Sequence, residues 1–199
     1  MSTAIYTTVI TALLVLVPVI DQITKAIALS VTMDGGRAVE LIPGVLQLHL
    51  VGNKGAAMGL WNDSAAGRVF FMVLSTVAII GIAVALLGFR KKLGFSDFGA
   101  ISLALVAGGG IGNMIDRTFF GKTLFQGEVI DFLDFCAFPK LWKWTFNVAD
   151  VCICVGVGLF ILSMIAGEVR AIRAKKAEKA ADGAKIRSEN DATDENSEN

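Results

Sequence analysis

Gly108-Gly109-Gly110-Ile111-Gly112-Asn113-Met114-Ile115-Asp116-Arg117 closes an uncharged run that starts at Phe98, and it decides what kind of fold the chain can have. A run of that length is a span candidate, because about 20 residues cross roughly 30 Å of hydrocarbon. The glycines at 108, 109, 110 and 112 leave bare backbone, so that neighbouring helices can approach closely, as packed membrane helices do. Asn113, Asp116 and Arg117 then stand at i, i+3 and i+4 and share one face. Packing accounts for the glycines but not for these three polar residues. A dinucleotide-binding loop is excluded, since no βαβ pattern surrounds the glycines.

Three more predominantly apolar runs cover about Ala4 to Leu29, broken only by Asp21 and Lys25, Val69 to Phe89, and about Asn147 to Gly167, broken only by Asp150, so the sequence predicts four transmembrane helices. Of 199 residues 54% are hydrophobic and the mean hydropathy is +0.65, far from a soluble domain. The predicted fold is an all-α membrane protein of residues 1–169, with a small extracytoplasmic β element and an interfacial aromatic segment. The first run lacks a basic leader and is followed by Asp21, Gln22 and Lys25 rather than a small-residue cleavage site, so it reads as a retained span. Formal net charge is zero. Charges of both signs crowd residues 170–199, which are poor in apolar residues and read as a disordered, solvated tail.

Basic residues set the orientation. Arg90, Lys91 and Lys92 join the second and third runs, and Arg170, Arg173, Lys175 and Lys176 follow the fourth, which places both sites, and both termini, in the cytoplasm. Asp21, Asp116 and Asp150 then fall toward the outer leaflet. Of the two outer connections, residues 30–66 carry Asp34-Gly35-Gly36, Pro43-Gly44 and an alternation of Leu46, Leu48 and Leu50 with Gln47 and His49, the period of a strand. Residues 118–146 carry Phe119, Phe120, Phe125, Phe132, Phe135, Phe138, Trp142, Trp144 and Phe146, a density expected of a segment along the membrane interface.

Acids near lipid are expensive, roughly 3 to more than 10 kcal/mol at mid-membrane, and persist where they are paired, wetted or functional. Asp21 and Lys25 at i and i+4 form a pair on one helix face. Asn53-Lys54-Gly55-Ala56-Ala57-Met58-Gly59 offers an amide in a small-residue turn. Asp131 lies between apolar neighbours in Val129-Ile130-Asp131-Phe132, and Asp150 sits in the first turn of the fourth helix, which Asn147 is placed to cap. Two carboxylates brought close share a proton, so one serves as base toward water while the other polarises a carbonyl. His49 is the only histidine, and Cys136, Cys152 and Cys154 form no CxxC pair, which leaves no zinc or disulfide framework and no HExxH site. No metal or cofactor is called for.

In order, Asp21-Gln22-x-x-Lys25, Asn53-x-Gly55-Ala56-Ala57, Gly108-Gly109-x-x-Gly112-Asn113-x-x-Asp116-Arg117, Val129-Ile130-Asp131-Phe132 and Phe146-Asn147-x-Ala149-Asp150 resemble the five boxes of the lipoprotein signal peptidases, the type II signal peptidases of bacteria. The resemblance implies a monomeric aspartyl endopeptidase of the inner membrane, active at the outer face, that removes signal peptides from diacylglyceryl-modified prolipoproteins and is inhibited by globomycin. Nucleic acid has no part in it. By family pattern Asp131 and Asp150 are the catalytic pair, and Asp21, Lys25, Asn53, Gly109, Asn113, Asp116, Arg117 and Asn147 support it or hold substrate. Asp116 ranks below Asp131 as a dyad member because Arg117 beside it offers an ion pair, and Asp134 is a local competitor. Met58 stands where the family commonly has an aromatic residue. A proton-coupled transporter is the alternative reading, though such proteins spread their acids across the membrane depth.

Overall fold

α4 (Asp97–Phe119) is the helix around which the others are arranged. It starts where Ser96, in extended conformation, accepts a hydrogen bond from Gly99 N at 3.0 Å, with Asp97 in the first turn to complement the helix dipole. Its glycines face different neighbours. A methyl group added to Gly108 would lie 2.9 Å from Val17 Cβ of α1 (Thr3–Thr32), and one on Gly112 would meet Asp21 Oδ2 at 2.7 Å. On Gly110 it would lie 2.9 Å from Ile79 of α2 (Ala65–Gly88), and on Gly109 it would strike the Ala149 carbonyl of α5 (Val148–Ser197). Three consecutive glycines thus admit three different helices. Gly156 answers from the α5 side, its Cβ position 2.7 Å from Ser102 O.

The computed structural model describes residues 1–32, 37–54, 65–121 and 124–197. Asp34-Gly35-Gly36 and the stretch from Gly55 to Gly59, Met58 included, lie outside them. α1, α4 and the part of α5 from Val148 to Ala180 are long and apolar enough to cross a membrane, and α2 adds a shorter apolar stretch, Met72–Gly88. A single turn, α3 (Arg90–Leu93), connects α2 to α4 and carries the predicted basic residues. At this end α1, α2 and α4 bury Tyr6, Ile10, Leu86, Ala100 and Ala104 together, and the Tyr6 hydroxyl donates to Leu86 O at 3.1 Å. Outward faces keep Val19, Ile23, Ile27, Val77 and Ile80 about half exposed, an apolar exterior suited to lipid.

The far end of α4 turns the chain back on itself. Phe120 N, Gly127 N and Phe125 N donate to the carbonyls of Asp116, Arg117 and Thr118 at 2.8, 3.0 and 3.1 Å, which satisfies orphan acceptors of the last turn. Phe125 takes a φ of 65°, and a side chain on Gly127 would strike the Asp116 carbonyl. The returning chain enters a four-stranded antiparallel sheet, β1 (Val39–Ile42), β2 (Leu46–Asn53), β3 (Val129–Asp134) and β4 (Thr145–Phe146), in that spatial order. Pro43 and Gly44, with φ 68° at the glycine and Val45 N bonded to Ile42 O at 2.9 Å, make a type II turn between β1 and β2. The sheet packs on α1 through Ala28, Leu48 and Phe132.

Two features depart from the sequence reading. The β element is larger than residues 30–66, because β3 and β4 come from the aromatic connection of residues 118–146. α5 also does not stop near Gly167 but runs as helix to Ser197, across the tail that composition reads as disordered. Alanine, lysine, glutamate and arginine dominate residues 170–181, and these are strong helix formers whatever their solubility. By contacts the chain divides into two units, Met1–Phe160 and Ile161–Asn199, of which the second is helical through Ser197.

Candidate active site

Lys25 is 1% exposed, with its ammonium 2.7 Å from both Asp21 Oδ2 and Asp116 Oδ2 and 3.2 Å from Asn113 Oδ1. The predicted i, i+4 pair on α1 is therefore real, and it has a third member on α4. Asp116 forms an ion pair with Lys25 across the helix interface, a partner that its sequence neighbourhood does not reveal. The Arg117 guanidinium donates to Asn113 O at 3.5 Å. Gln22, which the sequence reading left out of its site residues, donates to Asp116 Oδ1 at 2.7 Å and to Gly112 O at 3.2 Å. Its place inside the first motif was the available signal.

Asp131 sits on β3, 2% exposed, its carboxylate accepting from Asn53 Nδ2 at 3.0 Å and from Asn147 Nδ2 at 2.7 Å. β3 holds it there by pairing Asp131 with Val51 and Val129 with Asn53 of β2. Asp150 sits at the start of α5 in a reciprocal cap. Asn147 Oδ1 accepts from Asp150 N at 2.9 Å while Asp150 Oδ2 accepts from Asn147 N at 3.2 Å, an Asn-x-x-Asp version of the capping box. Asn113 Nδ2 donates to the other oxygen, Asp150 Oδ1, at 2.8 Å. Asn147, completely buried, therefore touches both acids, one through its side chain and one through its backbone, and its amide also reaches Asn113 Oδ1 at 3.0 Å. Among the described residues no buried side-chain nitrogen or oxygen lacks a partner.

Burial, and after it the charge of Asp150, push the Asp131 carboxyl up to about 7, against hydrogen bonds from Asn53 and Asn147 and the charge of Lys25. A carboxyl of that kind keeps a proton near neutral pH. Asp134, the competitor on the same strand, has its Oδ2 2.7 Å from Gln47 Nε2 and 3.9 Å from His49 Nδ1 on β2. Beside Asp131 opens a cleft of about 480 Å³, lined by Val51, Asn53, Asp131, Asp134, Trp142 and Trp144 among others. The two indoles pack edge to face at 5.6 Å, Trp142 also against Phe146 at 5.9 Å. All ten residues singled out by sequence, Gly109 included, belong to one assembly of α1, α4, β2, β3 and the first turn of α5.

The model of signal peptidase (SPase) II matches residues 13–166. This chain belongs to the signal peptidase II family. Among the similar proteins are the lipoprotein signal peptidases of Geobacter metallireducens, 40% identical over 153 residues covering 76% of this chain and 87% of that protein, and of Halalkalibacterium halodurans, 36% identical over 159 residues covering 79% and 92%. A solved bacterial membrane enzyme, determined by the in meso method, superposes with a TM-score of 0.63 at 29% identity, covering 79% of this chain and 87% of that one. As a signal peptidase II the chain is a membrane-embedded protease. The proton-coupled transporter reading finds no support, and the five sequence boxes all lie within the matched region.

Proposed function

We propose that Asp131 and Asp150 are the catalytic pair with which this signal peptidase II cleaves signal peptides from prolipoproteins. The observation that carries the assignment is Asn147, whose side chain and backbone bind one carboxylate each while burial and the Asp150 charge hold a proton on Asp131. In this arrangement the Asp150 carboxylate, at the N-terminal end of α5, takes a proton from water. Protonated Asp131 donates a hydrogen bond to the scissile carbonyl. The hydroxide adds to the carbonyl carbon, and the proton gathered by Asp150 passes to the departing amine as the C–N bond breaks, which returns the pair to its starting charge.

Asp21, Lys25, Asn53, Gly109, Asn113, Asp116, Arg117 and Asn147 hold this pair in place. The cleft beside Asp131, with its paired indoles, suits an extended peptide entering from the interface. Four spans are consistent with α2 joining the three longer apolar helices, and the basic residues of α3 and those after Gly167 favour cytoplasmic termini. That orientation places the pair at the outer face of the inner membrane, where a helical signal peptide leaves the lipid and can unwind to expose its backbone. The substrate in this reading carries diacylglycerol on the cysteine that follows the scissile bond. The enzyme acts as a monomer and is blocked by globomycin.

Purified protein, incubated with lipidated and unlipidated precursor, with and without globomycin, tests the whole reading. Cleavage of the lipidated form alone, lost with the inhibitor and lost again in Asp131→Asn and Asp150→Asn, is the expected result. Turnover retained by either folded variant would sink the assignment of the pair.

A further inference from the structure

The two acids of the Lys25 network have a second use that their ion pairs do not explain. Asp21 Oδ2 faces Lys25, and its other oxygen, Oδ1, accepts from Ala149 N at 2.9 Å, the residue immediately before Asp150. Asp116 Oδ2 faces Lys25 and also accepts from Ile130 N at 3.0 Å, the residue immediately before Asp131. We infer that Lys25, Asp21 and Asp116 form a single brace that sets the separation and aim of the two catalytic aspartates. One arm runs from Lys25 through Asp116 to the backbone of β3, the other from Lys25 through Asp21 to the first turn of α5. Each arm ends on the N–H next to a catalytic residue, so both carboxylates are referred to one ammonium group.

The inference rests on Asp131 and Asp150 being the catalytic pair. Its physical basis is the depth and completeness of the network. Asp21 and Asp116 are fully buried, and each of their oxygens has a donor within 3.0 Å: Ala149 N, Lys25, Gln22 and Ile130 N. A buried ion pair costs several kcal/mol of desolvation per ion before its Coulombic return, so it is weak evidence of stability and is better explained by a geometric task. Ala149 N is one of the orphan donors of a helix start, and the acid that satisfies it is the one that Gly112 lets close to α5's first turn, its Cβ position lying 2.7 Å from Asp21 Oδ2 and 3.3 Å from Ala149 Cβ. Lys25 also acts at a distance, since its positive charge opposes the upward shift of the Asp131 carboxyl. These are positioning residues; none reaches the reacting atoms.

The test uses full-length protein in detergent, with folding followed by thermal melting and rates measured on lipidated precursor against pH. Lys25→Met should lower kcat by roughly a hundredfold, the scale of an ångström's misplacement, with KM within about twofold. It should also move the alkaline limb of the rate profile to higher pH, because a positive charge near Asp131 is gone. Asp116→Ala should lose kcat to a similar extent, and Asp116→Asn should recover most of it, since the amide oxygen still accepts from Ile130 N. Should the first two variants not fold, Asp116→Asn and Asp21→Asn decide the matter: a several-fold lower kcat at unchanged KM supports the brace, and wild-type kcat in both overturns it. An unshifted alkaline limb in folded Lys25→Met also overturns it. If instead Asp131→Asn or Asp150→Asn retains activity, the catalytic pair itself has been misassigned, which is a separate result.

Discussion

The two ends of the α1 and α4 pairing solve opposite problems with the same two helices. Near the start of each, Tyr6 and Ile10 meet Ala100 and Ala104, small against large, with the buried Tyr6 hydroxyl satisfied by a backbone carbonyl. Near the other end the same helices bring Asp21 and Lys25 against Asn113 and Asp116, with no apolar filler between them. In lipid the first end is held by van der Waals contact, since hydrocarbon competes for apolar surface as readily as another helix does. The second end gains little net stability from its charges. The difference teaches where stability and chemistry are separated: substitutions at the apolar end should change how much protein is folded, and substitutions at the polar end should change what each folded molecule does.

The largest break of that comparison is at the acids themselves. Asp131→Asn and Asp150→Asn should each reduce cleavage by about 10³-fold or more while the melting transition of the purified protein moves little. Next comes Asn147→Ala, which removes the side chain that touches Asp131 and Asn113 and caps α5. A loss of kcat on the order of a hundredfold, with about 1 kcal/mol of stability, is expected from a rate assay and a denaturation series run on the same preparation.

A pH series sharpens the contrast. The folded Asp131 carboxyl is raised above its ordinary 3.8 to about 7, so the folded state holds this proton more tightly than the unfolded chain does. Its contribution to stability is complete below about pH 4 and is lost as pH rises through about 7. Wild-type melting temperature should therefore fall between pH 5 and 8 more steeply than that of Asp131→Asn, and kcat should decline above about pH 7. Parallel melting curves for the two proteins would contradict the raised value.

Smaller effects on rate belong to the packing positions. Gly109→Ala drives a methyl group into the Ala149 carbonyl, and overpacking of that kind costs about 1–3 kcal/mol, with some loss of rate because Ala149 adjoins Asp150. Ile10→Ala, far from the acids, should cost about 2–5 kcal/mol in melting and leave kcat per folded molecule within about twofold. A large fall in kcat for Ile10→Ala at full folding would mean that the two ends are coupled after all.

Much of this site could be read from the chain before any coordinates. Asp21 and Lys25 were legible because helical spacing alone brings i and i+4 together, and Asn113 and Asp116 because they share a face. What spacing could not supply was the partner across an interface, so Asp116 was paired with Arg117 by sequence and with Lys25 in space. β3 was illegible for a different reason. Val129, Asp131 and Leu133 alternate with Ile130, Phe132 and Asp134, so each face mixes polar with apolar residues and the period of two carries no contrast. The strand exists because β2 and the returning end of α4 hold it, a tertiary cause. In the tail, charge pointed to a solvated, disordered chain, whereas helix formation depends on propensity, and the two point different ways for alanine and lysine.

The three adjacent glycines of α4 also say something about synthesis. Their partners lie on α1, α2 and α5, and the last of these is made only after all four strands of the sheet. Asp150 arrives with α5, so a ribosome-bound chain that has inserted everything up to β4 holds Asp131 without its counterpart. On the proposed pairing, the two acids meet only once the first turn of α5 settles against Gly109, so the final span completes the site.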